Sequence, residues 1–240
     1  MLKGKSRVGV LCIHGFTGSP WDFRELGSFL SKQGFWVAAP LLAGHGTSPE
    51  DLAKTKWQDW YDSAEKAYFS LAKKCPKIFV VGISLGANLG FLLAEKHSLA
   101  GVISIGGISQ INQKFHLFAL LGKILWPFFP YYKKGYHEGR LPQETIARRV
   151  GYKVIPLRAV PDVIKVKKLM VNILPKITCP ALLIQAKSDH AVAKNNLQFL
   201  QERLGSKNKR ILEYDAYHVV IVDPKVKKEV NKEILNFISQ

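Results

Sequence analysis

Ile78-Phe-Val-Val-Gly-Ile-Ser-Leu-Gly-Ala-Asn-Leu-Gly-Phe-Leu-Leu93 runs from an unbroken apolar stretch through Gly82-Ile83-Ser84-Leu85-Gly86 and straight into a helical pattern. A buried strand that turns sharply into a helix needs glycine on either side of the turn, because a Cβ there collides with the neighbouring strand or helix. Such a turn predicts the Ser84 hydroxyl at the top edge of a sheet, in reach of a base. It also predicts the Leu85 N–H at the start of the helix, aimed where a developing oxyanion would lie. Gly82, Gly86 and Gly90 recur every four residues, which matches neither a dinucleotide loop nor a P-loop. No nucleotide cofactor is expected.

Outward from this turn, short apolar runs alternate with longer helical patterns. Val8–Ile13, Trp36–Ala39, Ile78–Val81, Val102–Ile105, Ala181–Gln185 and Arg210–Tyr214 read as strands. Trp21–Gly34, Trp57–Lys74, Asn88–His97, Asn195–Leu204 and Lys225–Ile238 read as helices. Near-continuous apolar strands separated by helices predict an α/β chain whose mostly parallel central sheet is covered on both faces. Its site is then expected at the carboxyl ends of the strands. Between about Ile108 and Lys176 the alternation fails and no buried strand is expected. Val163, Val166, Met170 and Ile173 fall at near-helical spacing there, and Pro142 and Pro161 stand where first helical turns could start. The expected organisation is a core of residues 1–108 and 176–240, with 109–175 inserted as a helical lid over the strand ends. Phe115, Phe118, Leu121, Leu125, Trp126 and Phe128 open this insertion, either as an acyl pocket beneath the lid or as the lid's own small core.

A serine needs a general base to act as a nucleophile. Of seven histidines, only His218 follows a late strand and precedes the last helix, the place the base occupies when the order is nucleophile, acid, histidine. The orienting acid is expected at Asp189, where the strand from Pro180 ends in a short turn. Asp215 is too close in sequence to reach the imidazole easily, and Asp223 is expected to cap the last helix. The second oxyanion donor should come from the glycine-rich bend Cys12-Ile-His-Gly-Phe-Thr-Gly18, with the Phe16 N–H as the natural partner of Leu85. His14 and His45 are expected to fix these loops by hydrogen bonds rather than to catalyse. No histidine–carboxylate or cysteine cluster has metal-ligand spacing, so neither a metal nor another cofactor is expected.

The 240 residues suffice for one sizeable core, and 47% hydrophobic with 22% charged residues is an ordinary globular mixture. Three cysteines make no disulfide framework, the longest uncharged stretch is broken by glycines and polar residues, and no secretory signal is recognisable. A cytoplasmic location is therefore expected. The net charge is +17, and nine of those surplus charges fall in the insertion, where twelve Lys and Arg face three acidic residues. Nucleic acid is disfavoured as a partner, because Lys165-Val-Lys167-Lys168 and Lys225-Val-Lys227-Lys228 lack interleaved aromatics. Peripheral contact with an anionic membrane surface remains open for the basic insertion.

These residues together resemble the α/β-hydrolase superfamily, most closely its small bacterial carboxylesterases and monoacylglycerol lipases. Leu11-Cys-Ile-His-Gly-Phe-Thr-Gly-Ser-Pro20 is similar to the family's oxyanion loop, and Pro40-Leu-Leu-Ala-Gly-His-Gly46 with Trp57-Gln-Asp-Trp60 to its next block. Gly82 to Gly86 resembles the nucleophile elbow, Ser188-Asp-His-Ala-Val192 the acid turn and Tyr217-His-Val-Val220 the histidine turn. Ala186 and Ala193 depart from a glycine and a proline usual around that acid. The resemblance implies an α/β-hydrolase fold with a small helical cap and the triad Ser84, Asp189 and His218. It implies hydrolysis of short- to medium-chain carboxylic esters through an acyl-serine. Thioesterase, acyltransferase, peptidase or carbon–carbon bond hydrolase chemistry shares that triad, as does a catalytically weak binding homologue.

Overall fold

In a computed structural model, residues 1–111, 126–134, 142–187 and 189–240 are described, with Gln143 by its backbone alone. Their strands in chain order are β1 (Val8–Ile13), β2 (Trp36–Ala38), β3 (Lys77–Ile83), β4 (Gly101–Ile105), β5 (Tyr131–Lys133), β6 (Val154–Pro156), β7 (Ala181–Ala186) and β8 (Lys209–Tyr214). Six of them lie side by side in the order β2-β1-β3-β4-β7-β8. Every neighbouring pair in that sheet is parallel. The helices are α1 (Arg24–Lys32), α2 (Pro49–Lys54), α3 (Trp57–Ala72), α4 (Leu85–Lys96), α5 (Gln143–Arg148), α6 (Val160–Ile173), α7 (Asn196–Arg203) and α8 (Lys227–Ile238). This is the α/β-hydrolase fold, a parallel sheet flanked by helices and interrupted by an insertion.

The alternation of side chains along each strand divides the core in two. Leu11 and Ile13 of β1, Val80 of β3 and Leu183 of β7 pack with Trp60, Leu71, Leu89 and Met170 on one face. Val10 and Cys12, Val81 and Ile83, and Leu182 and Ile184 pack with Leu26, Leu30, Val230 and Ile234 on the other. Both faces of the central strands are therefore apolar, which is why those strands read as continuous runs. The six expected strands are present with ends moved by two residues at most.

The helices differ more. Ser19, accepting from the Trp21 N–H, and Pro20 start a single 3-10 turn at Pro20–Phe23, and α1 follows it. α4 begins at Leu85, three residues earlier than the apolar pattern indicates, because Ser84 is already its N-cap. The six-residue α2, opened by Ser48 and Pro49, was not expected at all.

The insertion carries no buried strand in its described residues: β5 is exposed and pairs antiparallel with β6 alone. α5 starts directly after Pro142, and Pro161 sits in the first turn of α6, as their positions suggested. Val163, Val166 and Met170 of α6 are buried in the same cluster as Trp60 and Leu89, so this helix also covers the sheet. Trp126 and Phe128 are exposed, Phe128 by 77%. Phe115, Phe118, Leu121 and Leu125 lie outside the described residues.

Candidate active site

β3 enters the elbow at Ile83 and α4 leaves it at Leu85, so Ser84 alone makes the turn, at φ 53° and ψ −116°. That is a left-handed φ that a residue with a side chain rarely adopts. The neighbouring glycines are required by space. A Cβ on Gly82 would stand 2.4 Å from the Ala87 backbone, and one on Gly86 2.0 Å from the Ile13 carbonyl oxygen. The Ser84 backbone is tied down by its N–H to the Ile105 carbonyl (2.8 Å) and by its own carbonyl, which accepts from Ala87 (3.0 Å). Its side chain makes no capping bond, which leaves the hydroxyl for the cavity it lines.

His218 lines the same cavity. Its Nδ1 lies 2.5 Å from Asp189 Oδ2, and the other carboxylate oxygen accepts the Ala191 N–H at 2.8 Å. Asp189's side chain is only 1% exposed. Burial by itself would raise that carboxyl, but the His218 charge and hydrogen bond and the Ala191 N–H outweigh it and hold the group below the usual carboxylate range. Asp215 is exposed. Val226 rather than Asp223 is the N-cap of α8, but Asp223 opens the turn leading into it. One carboxylate oxygen of this buried residue accepts from the Lys225 N–H (3.0 Å) and its carbonyl from the Lys227 N–H (2.9 Å), while the other carboxylate oxygen accepts from the Tyr217 N–H (2.8 Å) of the histidine turn.

Beneath the imidazole lies Gly106, at φ 56°, where a Cβ would come within 2.7 Å of His218 Cε1. Nothing local to β4 in the sequence shows what packs on this glycine. Gly106→Ala is expected to displace the ring and cost on the order of 10² in kcat, since misplacement by about 1 Å is enough. Steady-state hydrolysis of a p-nitrophenyl ester checks this, and an alanine variant with unaltered kcat would show that the ring is not held there.

The bend after β1 is fixed by two buried histidines. His14 Nδ1 bonds the Gly15 carbonyl (3.0 Å) and its Nε2 accepts from Leu42 N–H (3.1 Å). His45 Nδ1 bonds the Ala43 carbonyl (3.1 Å) while its Nε2 accepts the Thr17 N–H (3.1 Å). Phe16, His45 and Trp60 pack ring against ring, which joins the three segments Leu11–Pro20, Pro40–Gly46 and Trp57–Trp60. Both rings act as acceptors at Nε2, so both must be neutral.

Burial pushes the pKa of His14 down to about 4. Burial, with His14 beside it, pushes His45 down to about 3. In the unfolded chain both titrate near 6.5, so below that pH the unfolded state binds the extra protons. Their contribution to stability is whole above about pH 6.5 and is lost as pH falls towards 4 and 3. Each is expected to cost about 2 kcal/mol by pH 5. Urea unfolding at pH 7.5 and pH 5 measures the loss, which should shrink in His45→Gln and would contradict the account if it did not.

The insertion docks on this same bend. Tyr152 N–H bonds the Thr17 carbonyl (2.8 Å), the Ser19 hydroxyl donates to the Val150 carbonyl (2.6 Å), and the Tyr152 hydroxyl donates to the Gly44 carbonyl (2.8 Å). Arg149 forms a two-pronged pair with buried Asp22, both bonds 2.8 Å. Across from the acid turn, Asn196 Oδ1 accepts from the Ser109 and Gln110 N–H groups and its amide donates to Gln185. The Asp22–Arg149 pair and the Asn196 hub were not read from the sequence. Their partners stand 127 and 87 residues apart and carry no local signature.

The cavity has a volume of about 420 Å³. Gly15, Phe16, Ser84 and His218 line it, and Ile108, Ile111, Ile155 and Val163 contribute apolar surface. Among the described residues no His, Cys, Asp and Glu cluster has the makings of a metal site. His116 and His137 lie outside them.

The model of the family described as "Hydrolase_4: Serine aminopeptidase, S33" matches residues 4–225. A thermostable monoacylglycerol lipase of Bacillus sp. (strain H-257) is 33% identical over 218 residues, 90% of this chain and 84% of the relative. A carboxylesterase of Bacillus subtilis (strain 168) is 25% identical over 245 residues, 99% of this chain and 94% of the relative. A solved structure described with "LipS and LipT, two metagenome-derived lipolytic enzymes" superposes with a TM-score of 0.89 at 29% identity, covering 100% of this chain and 96% of the other.

Proposed function

Because the chain belongs to the Hydrolase_4 family of α/β-hydrolases, we propose that it is a serine carboxylesterase of the monoacylglycerol lipase type, with Ser84, His218 and Asp189 as its triad. The observation that carries this reading is Ser84, strained at the elbow, lining the same cavity as His218, whose far nitrogen sits on buried Asp189. Asp189 holds the proton on Nδ1 and leaves Nε2 as the acceptor. His218 then takes the Ser84 proton as Oγ attacks the ester carbonyl, and the Phe16 and Leu85 N–H groups hold the oxyanion. The alcohol departs with the proton from His218, and water repeats the sequence on the acyl-serine.

The apolar wall and limited volume favour short to medium acyl chains, and residues 109–175 serve as the cap. Steady turnover across p-nitrophenyl esters of increasing chain length tests this. The expected profile peaks at short to medium length. Labelling of the protein by a fluorophosphonate without turnover of any ester would instead identify a binding homologue. Three free cysteines fit a reducing compartment, and we assign the protein to the cytoplasm. Among the described residues no helix is long and apolar enough to cross a membrane.

The cap is further proposed to touch anionic lipid. Trp126, Phe128 and Phe129 are exposed, Arg158 lies over the Trp126 ring, and Lys165 and Lys168 are exposed on α6. Sedimentation with anionic vesicles at low salt is expected to exceed that with zwitterionic vesicles and to fade at high salt. Lys165→Glu with Lys168→Glu should reduce it. Equal binding to both lipids, or none, would leave the charge as solvation only.

A further inference from the structure

Among the described residues, one cation that lines the cavity has no ion-pair partner. Asp22, Lys134 and Arg149 all line the space that holds Ser84 and His218. Arg149 and Asp22 satisfy each other through their two bonds and cancel. Lys134 continues the hairpin past β5, its N–H bonded to the Lys153 carbonyl at 3.0 Å, which fixes where its side chain starts. Among the described residues no carboxylate lies within ion-pair distance of its ammonium. Lys134 is partly exposed, and its side chain lines the cavity rather than facing a carboxylate. Burial, with Arg149 beside it, pushes the Lys134 pKa down to about 8 while Asp22 pulls the other way, so the amine is still mostly protonated at neutral pH.

We propose that Lys134, beside the Arg149–Asp22 pair, is an anion subsite within the Ser84 cavity, and that the preferred substrates are esters bearing a carboxylate or phosphate. This rests on the reading of Ser84 as the nucleophile and narrows its substrate class. The charge would lie on the acyl chain, as in a half-ester of a dicarboxylic acid, or on the alcohol, as in an acylglycerol phosphate. Either would bring a negative charge to a concave, partly apolar site, where a charge-assisted hydrogen bond counts for more than on an open surface.

Two matched pairs test it: mono-p-nitrophenyl adipate against p-nitrophenyl hexanoate, and 1-butyrylglycerol 3-phosphate against 1-butyrylglycerol. In at least one pair the anionic member is expected to have a kcat/KM roughly tenfold or more above the neutral one. The pair that shows it identifies carboxylate or phosphate, and acyl or alcohol side. Lys134→Gln should bring that ratio close to one, whereas Lys153→Gln, which removes an exposed charge next to the hairpin, should keep it. A wild-type ratio near one in both pairs would overturn the subsite. So would a ratio that survives in Lys134→Gln or falls equally in Lys153→Gln. If every ester is inert and a fluorophosphonate does not label Ser84, the nucleophile assignment has failed and not the subsite.

Discussion

Ser84→Ala is expected to lower kcat/KM for a p-nitrophenyl ester by on the order of 10⁶, the loss seen when a serine triad loses its nucleophile. The magnitude follows from the mechanism. Without Oγ no acyl-serine forms, and only the oxyanion donors and the binding site remain to assist water. The fold should survive, because the Ser84 side chain makes no capping bond to α4 and the turn is held through its backbone. An unchanged thermal midpoint alongside the lost turnover would separate chemistry from unfolding. Residual activity within about tenfold of the parent would place the nucleophile elsewhere.

Asp189→Asn should cost roughly 10⁴ in kcat. The asparagine oxygen can still accept the Ala191 N–H, so the turn keeps its shape. Its amide then donates to His218 Nδ1, which forces the proton onto Nε2 and removes the acceptor that Ser84 needs. Asp223→Asn is the informative control. It retains one oxygen for the two N–H groups of Tyr217 and Lys225, and is expected to lower stability with a far smaller effect on turnover. If the Asp223 variant were the more impaired in kcat, the acid would be misassigned.

Much of this was legible in the sequence, for a physical reason. The central strands are buried on both faces, so Val8–Ile13 or Ile78–Val81 stands out without any knowledge of its neighbours. The Gly82 contact at the elbow is with Ala87, five residues on, and shows in local spacing; Gly86 is needed because the Ile13 carbonyl lies against it, and only the repeated glycine pattern signals that. Other features depend on partners far along the chain. Gly106 is needed because His218 packs over it, and Lys134 is set in the cavity by a three-residue exposed hairpin with no apolar pattern. Asp223 does lead into α8 through its Oδ1, yet its Oδ2 also reaches back to the histidine turn, a link no local pattern shows. α2 escaped notice because six residues bury only Leu52 and give no period to read, although Ser48 and Pro49 mark its start.

We propose Ser84 as the reactive hydroxyl, activated by His218. Intact-mass and peptide analysis after treatment with a fluorophosphonate tests it most directly. One adduct per chain is expected, on the peptide containing Ser84. It should form far more slowly in His218→Ala, and ester hydrolysis should fall in proportion to the modified fraction. An adduct on any other residue, or full hydrolysis by protein completely modified at Ser84, would contradict the account.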